Sequence, residues 1–188
     1  MTQDIFALSA VDAKGVGLVV EFSRTADRVA HAVFAQRGDD RELLFQSVEG
    51  EDDDGWPSSP PFQEADMVDH LAEPALLLVG MAGKSHWSGS VEVESARRAL
   101  VFDVACRVVG VKPRIGSEYV APANHAQETS GEGIVFTSEL LGVSGHLSGR
   151  TGNITAQRSS RENCRIDVNA AYRPDPQTVR WGYEFTVK

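Results

Sequence analysis

The sequence has little of what usually announces a chemistry. Two cysteines, Cys106 and Cys164, occur in 188 residues without C-x-x-C spacing. That leaves no ligand set for a structural zinc site. Each cysteine sits in an alternating apolar pattern, so both are expected as buried thiols. The five histidines (His31, His70, His86, His125 and His146) stand singly, with no HxH or HExxH spacing. No metal or other cofactor is called for. Basic charge is also short: the formal net charge is -9. A nucleic-acid partner needs a basic face that displaces counterions, so none is expected.

Long apolar runs are missing as well. Ala75 to Val79 is the longest, far below the ~20 residues that span a bilayer. The first residues show no basic start leading into an apolar stretch. The chain therefore reads as cytoplasmic, with no membrane partner. Part of the acidity is local, in Glu49, Glu51, Asp52, Asp53 and Asp54. A calcium loop there would need an acid or amide at Gly50 and a glutamate at Pro61. The stretch reads as a solvated loop.

Alternation, by contrast, is plentiful. Val16 to Ser23, Arg28 to Gln36 and Glu42 to Val48 read as strands. Beyond them comes a break rich in acid, glycine and proline, ending in "GWPSSPPF". Trp56 and Phe62 there are expected to anchor the segment over an open end of the fold. Gln63 to Glu73 shows Met67, Val68 and Leu71 at helical spacing before Pro74, and predicts one short helix. Pro74 to Ala82, "PALLLVGMA", reads as a buried strand.

"MAGKSHWSGSVEV" contains the GKS of a phosphate-binding loop, but the first glycine of that motif would fall at Leu78. The residues after GKS carry no helical stripe. Trp87, Gly89, Val91 and Val93 alternate with His86, Ser88, Ser90 and Glu92. A turn around Ala96 and Arg97 sets Val93 opposite Leu100, Val91 opposite Phe102, Gly89 opposite Val104 and Trp87 opposite Cys106. All of these share one face, and a slip of one residue would destroy the sorting. The GKS therefore opens a strand.

The C-terminal pattern repeats the logic. Cys164, Ile166, Val168, Ala170 and Tyr172 form one alternating set; Val179, Trp181, Tyr183, Phe185 and Val187 form another. The preferred hairpin puts Val168 on Trp181, Ile166 on Tyr183 and Arg165 on Glu184. The alternative sets Asp167 against Glu184, which is unfavourable.

About ten strands at this spacing predict an all-β, mainly antiparallel fold: one domain over residues 1–188, a β-barrel or a two-sheet sandwich. The other face of the central hairpin carries His86, Ser88, Ser90, Glu92, Asp103 and Arg107. A Ser-His-Asp set fails there, because His86 lies about 13 Å from the level of Asp103 at strand rise. With Trp56 and Phe62, these six are the candidate ligand-binding residues; no catalytic residue is assigned. Three readings fit these patterns. The first is a non-catalytic module taking a small apolar or amphipathic molecule in a β cavity. The second is an interaction or assembly module using a sheet edge or the 56–62 proline loop. The third is a hydrolase assembled from distant strands around Asp103 and Glu92.

Overall fold

The computed structural model of the chain describes residues 3–51, 54–68, 72–110, 115–122, 125–129, 133–151, 153–158, 163–170 and 178–188. Over these it is almost entirely antiparallel β, and two sheets pack as a sandwich rather than closing into a barrel. The strands are β1 (Gln3–Val11), β2 (Val16–Thr25), β3 (Arg28–Arg37), β4 (Asp40–Ser47), β5 (Phe62–Val68), β6 (Ala75–Ala82), β7 (Ser85–Glu94) and β8 (Ala99–Arg107). They continue with β9 (Gly116–Pro122), β10 (Ala126–Thr129), β11 (Gly133–Ser138), β12 (Val143–Thr151), β13 (Asn153–Arg158), β14 (Asn163–Asn169) and β15 (Thr178–Val187). One sheet has the order β1-β2-β3-β4-β9-β14-β13; the other runs β10-β11-β12-β15-β8-β7-β6-β5. No helix of the described residues is long and apolar enough to cross a membrane.

The inward positions of both sheets meet in one core. Phe22 and Phe45 come from the first sheet, and Phe102, Trp181, Tyr183, Phe185 and Phe136 from the second. Phe45 sits edge-on to Phe136, at 5.6 Å between centroids, and Phe102 stacks on Tyr183 at 4.9 Å. Such contacts add to the area these rings bury. Cys106 and Cys164 are buried thiols in opposite sheets and form no disulfide.

The central hairpin has the register its pattern predicts. Val93 faces Leu100, Val91 faces Phe102, Gly89 faces Val104 and Trp87 faces Cys106. The turn is a single 3-10 turn, Ser95–Arg97, closed by Arg98 in the left-handed conformation (φ 49°). Gly83 and Lys84 form the tight turn from β6 to β7, and Gly83 takes φ +57°. GKS is thus a hairpin turn leading into a strand.

Three expectations are corrected. Phe62–Val68 is strand β5, not the start of a helix; Asp69, His70 and Leu71 lie outside the described residues. Ala65 and Met67 pack against the core while Glu64 and Asp66 are exposed. Over so short a window, period two fits the apolar residues as well as period 3.6. A bulge between Phe62 and Glu64 then lets Phe62 point inward too.

Strand β6 is buried on one face only. Leu76, Leu78 and Ala82 are inside, but Leu77, Val79 and Met81 stand in solvent.

The C-terminal strands do not pair with each other. β14 lies between β9 and β13, while β15 lies between β12 and β8, in the other sheet. Arg165 pairs with Glu118, and Glu184 with Arg97. Tyr172, and residues 173–177 between the two strands, lie outside the described residues.

Candidate ligand groove

The outer face of the eight-stranded sheet is set by its registers. Glu92, Ser90, Ser88 and His86 on β7 stand beside Val101, Asp103, Ala105 and Arg107 on β8. Glu184, Gly182, Arg180 and Thr178 of β15 continue these rows. The face is charged and cross-linked. Arg180 grips Asp103 at two points, with Nε to Oδ1 at 2.7 Å. Arg97 holds Glu184 at 3.1 and 2.9 Å and Glu94 at 2.7 Å. The hydrogen bond from Arg97 keeps the Glu184 carboxyl below the usual range, and Glu184, then Glu94, raise Arg97.

A groove of about 890 Å³ opens in this face, within the range of small-molecule sites. Its floor is Val101, Asp103 and Gly182; Glu92 stands on one side, Arg150 and Thr151 on the other, and Thr178 and Arg180 at one end. Two local features make the hollow. The ladder between β12 and β15 shifts register between Gly149 and Thr151, a bulge of the kind that re-aims side chains beside functional sites. The Thr151 hydroxyl accepts the Gly182 N–H at 2.8 Å. Secondly, Gly182 places no side chain in the row between Arg180 and Glu184. A Cβ there would find Phe102 O at 3.4 Å, Arg150 Cβ at 3.6 Å and Thr151 Oγ1 at 3.7 Å, ordinary contacts. Backbone crowding does not require the glycine. Its effect is to leave space.

Of the eight residues singled out in the sequence, Glu92 and Asp103 line this groove. Ser90, Ser88, His86 and Arg107 share the face but lie farther along it, toward β6 and the β6–β7 turn. Trp56 and Phe62 are elsewhere. Phe62 is buried on the inner side of β7, where its ring fills the space beside Gly89; a Cβ on Gly89 would lie 2.7 Å from Phe62 Cζ. Trp56 packs against the core. Their loop is structural: Pro57, Ser59, Pro60 and Pro61 are buried, and Ser59 Oγ bonds both Glu118 O and Glu118 N, at 3.1 and 3.0 Å. Arg150, Thr151, Arg180 and Gly182 were missed. A glycine in the outward row of an otherwise complete strand was the available signal.

Among the described residues, the groove is lined by no histidine, cysteine or serine, so no nucleophile among them has an imidazole base. Asp103 spends both oxygens on Arg180. Among the described residues, no group of three His, Cys, Asp or Glu side chains is placed to hold a metal ion.

A second polar cluster lies inside the sandwich. His31 Nε2 meets the Tyr119 hydroxyl at 2.7 Å, and Tyr119 meets the Tyr183 hydroxyl at 2.7 Å. Tyr183 also bonds Ser117, which accepts the Trp181 indole N–H at 3.1 Å. Phe22 and Phe102 flank the imidazole, each 5.3 to 5.5 Å away. Burial pushes His31 down to about 3 and Tyr183 up to about 12, and holds Tyr119 well above its ordinary value. Nearby, Ser47 donates to Glu49 at 2.6 Å, and burial raises that carboxyl to about 7. None of these polar side chains lines the groove. They are satisfied core groups that tie the two sheets together.

Compared with protein-family models, curated proteins and solved structures, the chain matches none.

Proposed function

We propose that the chain is a non-catalytic binding module that takes a small amphipathic ligand in the groove over Gly182. The observation that carries this is the gap itself. Among the described residues, Gly182 leaves a gap in the outward row of β15, next to a bulge, where the local backbone would tolerate a side chain. In the sandwich interior, aromatic rings from both sheets pack against one another. The groove over Gly182 moves the expected ligand from an interior cavity to an outer face, and from apolar to mixed character. Val101 and Gly182 suit an apolar middle, Arg150 an accepting or anionic end, and Glu92 a donating end. Groove polarity of this kind fixes orientation.

The experiment is native mass spectrometry of the purified full chain, beside Gly182→Leu. Wild type retains a small molecule; Gly182→Leu folds with the same circular dichroism and loses it. A wild type without bound mass, or a leucine variant that keeps it, rejects the reading.

A further inference from the structure

Strand β6 leaves an apolar stripe uncovered. Leu77, Val79 and Met81 are 47, 47 and 45 % exposed, and Val109, just beyond β8, is 44 % exposed. All four border the groove's own face. A continuous apolar run is the mark of a strand covered on both sides, yet one side of β6 is open. We propose that this face is the interface of a symmetric dimer, and that the second copy roofs the groove.

The choice of a second copy rests on self-complementarity. Consider a two-fold axis lying in the face and crossing the strands at Val79, Ser88 and Ala105, which are neighbours in the ladder. The half-turn reverses each strand on itself. Leu77 then falls on Met81 of the partner subunit, and Ser90 on the partner's His86. Glu92 falls on the partner's Lys84 and Val101 on the partner's Val109, while the partner's Arg107 falls on Asp103, whose oxygens already bind Arg180. Apolar meets apolar and acid meets base, each twice, as an isologous contact requires. Two charged positions meet their own kind: Glu64, on the edge strand β5, and Arg180, which lines the groove and is already paired with Asp103.

The edge itself is a poor docking site. Glu64 and Asp66 are exposed on β5, and charges of this kind guard an edge against strand addition. Five strands at about 4.8 Å and eight residues at about 3.4 Å give roughly 650 Å² per copy, or on the order of 1,300 Å² in total, enough for a specific interface.

The functional half of the inference rests on the groove reading. Seen alone, the groove is open to solvent. In the dimer, the partner's Lys84, Arg107 and Val109 stand over Glu92, Asp103 and Val101. Each hollow becomes a chamber completed by the other copy.

Sedimentation velocity of the full chain over a wide concentration range tests it. The expected species has twice the 20.4 kDa chain mass, and Val79→Lys, at an outward position on the axis, is a monomer with unchanged circular dichroism. Lys84→Glu and Glu92→Lys supply the decisive cycle. Within one copy Lys84 stands in the turn before β7 and Glu92 near the strand's far end, roughly 25 Å apart at strand rise, so they cannot compensate each other internally. Each single change weakens the dimer by on the order of tenfold or more, and the double change restores it. A monomer at every concentration, a dimer indifferent to Val79→Lys, or a double variant no better than the singles overturns the proposal. Failure here is distinct from failure of the groove: a monomer that still retains its small molecule leaves the groove standing, and a dimer without bound mass removes only the ligand.

Discussion

Tyr119 and Tyr183 meet hydroxyl to hydroxyl at 2.7 Å, one from each sheet. The contact is the middle of the chain from His31 to Trp181, and the two ends depend on it unequally. Tyr119 serves both His31 and Tyr183, whereas Tyr183 keeps Ser117 if Tyr119 is removed. Tyr119→Phe is therefore expected to cost about 1–3 kcal/mol, because it leaves the buried imidazole without its partner. Tyr183→Phe is expected to cost less, about 1 kcal/mol. The double variant falls short of the sum, since both singles break the same bond. Urea unfolding of the three variants measures this.

Phe102 decides between the hairpin and the phosphate loop. It is 2 % exposed, stacked on Tyr183 and packed against Phe185. Phe102→Ala is expected to destabilise by about 3–5 kcal/mol, through lost transfer energy and a cavity. Neither ATP nor GTP should raise the melting temperature of wild type, because Lys84 stands in a β-turn with no helix N-terminus behind it. A nucleotide-dependent shift that Lys84→Ala abolishes would refute the assignment.

How far the sequence could be read differs between elements for physical reasons. The central hairpin was legible because a one-residue slip would put Trp87 and Val91 on the face opposite Phe102 and Val104, and the turn around Ala96 and Arg97 fixed the rest of the register. The C-terminal strands were legible as strands but not as partners. Alternation tells which face a residue takes, and both Val168 and Trp181 do face the core. It does not say which neighbour supplies the hydrogen bonds, and those came from β9, β13, β8 and β12. Strand β6 misled because an apolar residue carries no mark saying whether protein or solvent covers it. The groove was half legible: Glu92 and Asp103 belong to the visible polar row, but the hollow is made by an absent side chain and by a bulge on β12.

Phe62 was a ligand candidate in the sequence and is a core residue in the fold. Its ring occupies the room left by Gly89. Phe62→Ala is expected to cost about 3–5 kcal/mol. Gly89→Leu alone is overpacked and costs about 1–3 kcal/mol. Combined, they are expected to be more stable than Phe62→Ala alone, since the leucine fills the vacated space. Thermal unfolding of the set checks this; additive losses would show that the two sites do not share one volume.

The pH dependence of stability should be flat where a buried imidazole and a half-buried carboxyl oppose each other. His31 is pushed down to about 3 from an ordinary value of 6.5. Between those values the unfolded chain holds a proton there that the folded chain lacks, so this group makes stability rise with pH. Glu49 is raised to about 7 from 4.5. Between those values the folded chain holds the extra proton, so this group makes stability fall as pH rises. The two windows overlap from pH 4.5 to 6.5, where the slopes cancel. Glu49→Gln keeps a polar group beside Ser47 and removes one side of the balance. Its stability is expected to climb through that window by about 1.4 kcal/mol per pH unit, the slope of one proton. His31→Asn should show the reverse, falling from pH 4.5 toward 7. Urea midpoints at several pH values for wild type and both variants decide it. If Glu49→Gln is as flat as wild type, Glu49 is not the carboxyl that balances His31.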